Sequence, residues 1–264
     1  MADSAPVPVE MFGAATAGPD ASGATHMHQA ALPVRRDGQA VPAVIWLPEG
    51  AGRPLPLVLV GHGAGGSMQA PIVTGVARRL TALGCAVAAI DLPYHGERTP
   101  PGEVGMSARE RRARLGLSAW RERNACATMQ AVADWQAAID AAQALPEVGQ
   151  GRVGYFGLSL GTRCGLPLAA AESRLTAAVL GLFGYAGPAG PPGVAEAARQ
   201  VTIPVLFLVQ WDDELYPRSD GFALFDLLAS ERKTLHANPG GHLDVPRSEF
   251  AAAMGFLAHH LGVR

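Results

Sequence analysis

Cysteine is scarce in this sequence. Only Cys85, Cys126 and Cys164 occur in 264 residues, an odd number with no C-x-x-C pair. This argues against a zinc site of that type and against a thioredoxin-like redox motif. Their apolar neighbours mark the three as ordinary buried thiols, and so few thiols fit a reducing compartment. Net charge is nearly absent as well, at −2, with almost all of the basic residues arginine. There is therefore no electrostatic case for a nucleic-acid partner or an anionic membrane. No apolar run is long enough to span a bilayer. The opening MADSAPVPVEMFGAATAGPD lacks the basic and apolar regions of a secretory signal, so a cytoplasmic protein is expected. The histidines form no H-E-x-x-H or comparable cluster, and no metal is expected.

What is present is apolar material for a large core. Hydrophobic residues make up 48% and charged residues 17% of the chain, consistent with one sizeable α/β domain. The 32 glycines and 21 prolines imply many tight turns. Residues 1–25, rich in Ala, Gly, Pro and Ser without periodicity, predict a flexible N-terminal arm, leaving 26–264 as a single domain. His26 to Val34 and Ala43 to Leu47 read as two strands around a turn at Asp37-Gly38, a strong hairpin signal.

From Pro56 onward, short apolar runs alternate with helix-length segments. The runs are Leu57–Val60, Ala86–Ile90, Val153–Phe156, Ala177–Leu182 and Val205–Val209. Unbroken runs of this length suit strands buried on both faces of a parallel sheet. Helices are predicted over Ala70–Leu83, Asn124–Ala144, Thr162–Ala171, Gly221–Leu228 and Ser248–Leu261; Val132, Trp135, Ile139 and Ala142 would form the buried stripe of the long one. The alternation predicts an α/β fold with a mostly parallel, doubly wound sheet. Ligands in such sheets gather beyond the carboxyl ends of the strands.

The residues that carry chemistry lie at those ends. Gly157-Leu158-Ser159-Leu160-Gly161 stands between a strand and a helix, the context that a G-x-S-x-G nucleophile requires. The sharp turn demands small flanking residues and lifts the Ser159 hydroxyl out of the sheet. A neutral serine needs an adjacent base held by an acid, and in this fold they follow it in the order acid, then histidine. His242, in Pro239-Gly240-Gly241-His242 before the last helix, is the expected base. Asp212 and Asp213 compete for the acid, since two close carboxylates disfavour joint ionisation. The oxyanion of an acyl-transfer intermediate needs main-chain donors. These are expected from Leu160 and from Ala64 in the loop Gly61-His62-Gly63-Ala64-Gly65-Gly66. That loop lacks the lysine of a phosphate-binding P-loop, and His62 reads as its structural brace.

Together, His62-Gly63, Gly-Leu-Ser-Leu-Gly, the strand-end aspartates and the late Gly-His242 resemble the α/β-hydrolase superfamily over roughly residues 40–262. The stretch Asp91-Leu92-Pro93-Tyr94-His95-Gly96-Glu97-Arg98 is similar to a D-x-x-G-H-G-x-S segment, which points to the dienelactone-hydrolase-like and prolyl-oligopeptidase-like branch. The sequence departs from that pattern at Tyr94, where glycine is usual, and at Ser159, where dienelactone hydrolases proper carry cysteine. The resemblance implies an α/β-hydrolase fold and a hydrolase without cofactor. It also implies Asp213 as the acid, because the family's strand-end aspartate stands four residues before a proline, here Pro217. Dehalogenases and epoxide hydrolases of this fold use aspartate at the elbow and are disfavoured by Ser159.

Gly184 to Gly193 is too short for more than a minimal cap. The Arg-rich excursion from Thr99 to Arg123 reads as a solvated helix with an apolar edge; as a flap, its arginines would bind an acidic substrate group. Met68, Tyr94, Phe183, Tyr185 and Trp211 each follow a strand end and are the expected pocket walls. The chain thus reads as a serine carboxylesterase cleaving small to medium esters through an acyl-enzyme. The related alternatives are a peptidase, a thioesterase or a carbon–carbon bond hydrolase, and the alternative of another class is a non-catalytic binding protein. The expected partner is a small-molecule ester; no nucleic acid or membrane is expected, and oligomerisation is not indicated.

Overall fold

The computed structural model describes residues 27–50, 54–187 and 191–263; the arm expected over residues 1–25 lies outside them. Strands β1 (Met27–Ala31) and β4 (Ala43–Pro48) pair antiparallel. Between them, β2 (Val34–Arg36) and β3 (Gln39–Val41) form a separate two-stranded ribbon. The expected turn sits on this ribbon, with Asp37 and Gly38 both at positive φ, 50° and 78°, as the tightest hairpin turn requires. The expected strand over Ala43–Leu47 is β4; the one expected over His26–Val34 divides into β1 and β2 at Pro33, which offers no N–H to a ladder, and β3 is an additional short strand before Pro42.

The main sheet continues through β5 (Leu55–Gly61), β6 (Ala86–Ile90), β7 (Val148–Gly157), β8 (Leu175–Gly181), β9 (Val205–Gln210) and β10 (Lys233–Asn238). Its spatial order is β1-β4-β6-β5-β7-β8-β9-β10. From β6 to β10 every neighbouring pair is parallel, while β4 joins β6 antiparallel. All five apolar runs are strands. The sequence reading lacked β10, whose Lys-Thr-Leu-His-Ala-Asn alternates polar and apolar residues because it is an edge strand, only partly covered.

Helices cover both faces. On one face α1 (Pro71–Ala82) and α7 (Arg247–Leu261) pack on Val58, Val60, Val87, Phe156 and Leu206. On the other lie α3 (Leu117–Gln143), α4 (Leu160–Ala171) and α6 (Arg218–Leu227), over a second core containing Leu57, Leu59, Tyr155 and Phe207. Successive residues of each buried strand thus feed opposite cores, as a pleat of period two dictates. Two short helices complete the set, α2 (Ala108–Leu115), opened by a Ser107–Glu110 capping box, and α5 (Val194–Ala198). No described helix is long and apolar enough to cross a membrane.

Two sequence expectations change here. Cys126 is exposed, whereas Cys85 and Cys164 are buried: apolar neighbours in sequence do not fix which side of α3 a residue faces. The Arg-rich segment is also less solvated than its composition indicates. Arg111 is buried and donates from Nη1 to the Tyr94 carbonyl at 3.0 Å. Arg123 donates to Glu103 Oε1 at 2.6 Å and lies over the Tyr94 and Trp120 rings. These guanidiniums bind the protein's own acceptors. A further buried carboxylate, Asp134 on α3, takes Arg36 Nε at 2.6 Å and Arg98 Nη1 at 2.7 Å, tying the β2–β3 ribbon and the loop after β6 to this face.

Candidate active site

The chain reverses direction across the sheet at β5 and β7, which are neighbours although β6 and three helices separate them in sequence. Their following helices leave toward opposite faces, and the crevice between their carboxyl ends is where such sheets bind ligands. The Gly-rich loop follows β5 and Ser159 follows β7, so both open on this crevice.

Ser159 has φ 58° and ψ −114°, a region that side chains other than glycine seldom occupy. The strand-to-helix bend enforces it. A Cβ on Gly161 would stand 2.9 Å from the Gly61 carbonyl oxygen, and one on Gly157 would meet the Tyr155 ring at 2.7 Å. The bend is pinned by Ser159 N–H donating to the Gly181 carbonyl at 2.9 Å. The buried Thr162 hydroxyl, unrecognised from sequence, adds a second tie. It accepts from Gly181 N–H at 2.7 Å and lies 2.7 Å and 2.6 Å from the carbonyls of Gly157 and Gly181, to one of which it donates. Leu160 opens α4, so its N–H has no partner within the helix.

His242, 5% exposed, stands on the loop between β10 and α7. Its Nε2 is 3.0 Å from Ser159 Oγ, and its Nδ1 is 2.7 Å from Asp213 Oδ2. The carboxylate draws the imidazole proton to Nδ1, leaving Nε2 to accept from the serine hydroxyl. Asp213 Oδ1 is itself occupied, accepting from Leu215 N–H at 2.8 Å and Tyr216 N–H at 2.9 Å. Asp212 takes a different part, exchanging hydrogen bonds with the Gly240 main chain, N–H to carbonyl at 3.0 Å and Oδ2 from N–H at 3.3 Å. The sequence thus set two aspartates in competition, and Asp213 is the one beside the imidazole.

His62 is fully buried. Its Nδ1 donates to the Gly63 carbonyl at 2.8 Å and its Nε2 accepts from Leu92 N–H at 3.0 Å. Burial pushes its pKa down, so a neutral ring braces the loop. Asp91 works alongside it, with Oδ1 accepting from Met68 N–H and Oδ2 from Glu97 N–H, each at 2.7 Å.

His95, beside His62, carries a testable consequence. Burial pushes its pKa down to about 4, with the Arg111 and Arg163 charges acting in the same direction against the bond to the Pro93 carbonyl. Unfolded, the imidazole titrates near 6.5. Between about 4 and 6.5 the unfolded chain therefore binds a proton that the folded chain refuses. The contribution to stability is complete above 6.5 and is lost as pH falls. Urea unfolding is expected to show His95 costing about 2 kcal/mol between about pH 7 and about pH 5, a loss that His95→Asn removes. An equal acid-side loss in the variant would contradict this.

A cavity of about 470 Å³ adjoins Ser159 and His242 on the α1–α7 face of the sheet. Its walls include Val60, Val73, Phe156, Leu182, Val245 and Phe250, its loop side includes Gly63 and Ala64, and one carboxylate, Glu214, reaches it. Ile72, Leu215 and Leu243 are exposed at its edge, Leu243 to 87%. None of Met68, Tyr94, Phe183, Tyr185 and Trp211, the walls expected from sequence, lines it. Met68 is buried in the core beneath. Phe183 and Tyr185 pack on the opposite face, with Phe183 against Tyr216. Tyr94 is covered by Arg123, and Trp211 borders a separate depression with Asp212 and Arg218. A position just past a strand end places a side chain near the crevice without deciding on which face of the sheet the cavity opens. Val245 and Phe250, close behind His242, were the overlooked signal: the loop that carries His242 and the helix it enters also deliver a wall.

The sequence model of the dienelactone hydrolase family matches residues 41–237. Among solved structures, a cold-adapted esterase from an Arctic intertidal metagenomic library is 36% identical. The match covers 95% of this chain and 99% of that one, with a TM-score of 0.74. Two more distant structures share the fold. A dienelactone hydrolase from Anabaena variabilis is 24% identical (coverage 90% and 99%, TM-score 0.61). An acetyl xylan esterase from Paenibacillus is 20% identical (coverage 92% and 87%, TM-score 0.65). No curated protein matches this chain.

Proposed function

Since this chain belongs to the dienelactone hydrolase family, we propose that it is a serine carboxylesterase acting on small to medium, uncharged carboxylic esters. The observation that carries this reading is the unbroken hydrogen-bonded series Asp213–His242–Ser159 opening on an apolar cavity. The 36% identical relative described as an esterase adds support.

In this mechanism His242 Nε2 takes the proton from Ser159 Oγ as that oxygen attacks the ester carbonyl carbon. Asp213 holds the imidazole and stabilises the imidazolium. The main-chain N–H groups of Ala64 and Leu160 receive the oxyanion, and the dipole of α4 favours negative charge there. Collapse expels the alcohol, which takes its proton from His242. Water activated by the same imidazole then releases the acid and regenerates Ser159.

A fluorophosphonate probe is expected to label Ser159. Absence of labelling would leave the scaffold as a binding protein. Because burying a methylene is worth about 0.8 kcal/mol, kcat/KM on 4-nitrophenyl esters should rise about fourfold per added acyl methylene until the cavity is filled, then level off before octanoate. A flat series from acetate onward contradicts the assignment of the apolar cavity to the substrate. Amide analogues should turn over far more slowly than esters of the same shape.

A further inference from the structure

We propose that Glu214 is a positioning residue for His242 and that its charge makes the site discriminate against esters carrying a carboxylate. The inference rests on the esterase reading above and names the substrate class more narrowly.

Glu214 directly follows Asp213. Its Oε2 accepts from the His242 main-chain N–H at 2.9 Å, while Asp213 Oδ2 holds the ring Nδ1 at 2.7 Å. Two consecutive carboxylates thus grip the base at two points, backbone and imidazole, and the ring cannot swing away from Ser159 without breaking one of them. The neighbouring amides of the same loop are also carried on carboxylates, Gly240 N–H on Asp212 and Gly241 N–H on Asp244, at 3.3 Å and 2.8 Å. Of these three main-chain bonds, only the one to Glu214 comes from the residue that bears the base. Gly241 leaves the room this needs, since a Cβ there would lie 2.9 Å from Glu214 Oε2.

The second half of the inference rests on a separate observation. Besides His242, Glu214 is the only ionisable side chain among the described residues lining the cavity. The bond from the His242 main chain keeps its carboxyl below the usual range, so it is anionic at neutral pH. No arginine or lysine among the lining residues offsets it. A substrate carboxylate entering beside apolar walls meets a fixed like charge that an uncharged chain does not. The solvent exposure of Glu214 screens the repulsion to a moderate level, about tenfold in rate rather than thousands.

The test uses the full chain and its Glu214→Ala and Glu214→Gln variants, with rates normalised to sites titrated by a fluorophosphonate. Three esters are compared: 4-nitrophenyl butyrate, the mono-4-nitrophenyl ester of succinic acid, and 4-carboxyphenyl butyrate. The last two carry the anion on opposite halves, so one of them presents it to the cavity whichever half enters. Glu214→Ala should lower kcat on the neutral ester about ten- to a hundredfold with little change in KM, because the base is disturbed while the apolar walls that hold an uncharged chain stay in place. Glu214→Gln should recover most of that loss, its amide oxygen accepting the same N–H. In both variants the preference for the neutral over an anionic ester should shrink about tenfold. A wild-type kcat in Glu214→Ala overturns the positioning role, and an unmoved anionic-to-neutral ratio in both variants overturns the charge role. Failure of the esterase reading looks different: the wild-type chain is then neither labelled nor active on the neutral ester, and this inference falls with it.

Discussion

Replacing Ser159 with alanine is expected to lower kcat on a neutral ester by about 10⁴- to 10⁶-fold while leaving the fold in place. The magnitude follows from what the hydroxyl does. In the proposed mechanism it is the atom that bonds to substrate, and His242 Nε2 at 3.0 Å is its hydrogen-bond partner. Losing it removes the covalent route altogether and leaves only the oxyanion donors and binding to assist attack by water. The fold should tolerate the change because the strained backbone at Ser159 is held by other groups: the main-chain bond from its own N–H to Gly181, the Thr162 hydroxyl and the close approach of Gly161 to Gly61. Alanine supplies the same Cβ at the same φ. Steady-state kinetics with circular dichroism and a thermal melt as the control decide the matter. A folded variant keeping more than about one part in a hundred of the activity would remove Ser159 from the nucleophile's role.

The second large effect concerns the acid. Asp213→Asn should lower kcat about 10⁴-fold, whereas Asp212→Asn should cost no more than about tenfold. The structure gives the reason for the first. Asp213 Oδ1 accepts two main-chain N–H groups, from Leu215 and Tyr216. An asparagine must therefore keep its oxygen on that side, and its NH₂ replaces Oδ2 against the imidazole. It then donates to His242 Nδ1, which drives the ring proton to Nε2, where it faces Ser159 and cannot accept. The geometry survives in the wrong tautomer. Among the described residues Asp212 hydrogen-bonds only with the Gly240 main chain, so its amide weakens one bond of the loop. Measuring both variants with the ester used for Ser159→Ala gives the ranking, and the reverse order would transfer the acid's role to Asp212.

Much of this site was legible because its signals are local. The Gly-Leu-Ser-Leu-Gly turn carries its own steric requirement, and Ser159, the glycine loop and His242 each sit immediately after a buried strand or before a helix that apolar periodicity marks. The order of the three residues along the chain then did the rest. Asp213 was less direct, since Asp212 has the same chemistry one position away and only the resemblance through Pro217 separated them.

What stayed illegible is non-local. The run Asp212-Asp213-Glu214 presents three carboxylates, and composition gives no hint that one grips the imidazole, one the His242 backbone and one Gly240. Thr162 reads as the ordinary first residue of a helix until β8 arrives beside it. The Arg-rich segment reads as a solvated surface, yet Arg111 is buried because the loop after β6 happens to offer it the Tyr94 carbonyl.

By itself, then, the sequence determined the parallel α/β architecture, the sharp turn at Ser159 and the placing of His242 on the loop before the last helix, because unbroken apolar runs, small residues at a sharp bend and chain order are properties of neighbouring positions. Tertiary structure alone decided that the cavity opens on the α1–α7 face, that Phe156, Leu182, Val245 and Phe250 wall it in place of the expected aromatics, and that Glu214 reaches into it. A strand's side chains alternate between two faces with equal ease; which face keeps a void depends on how helices remote in sequence pack across it.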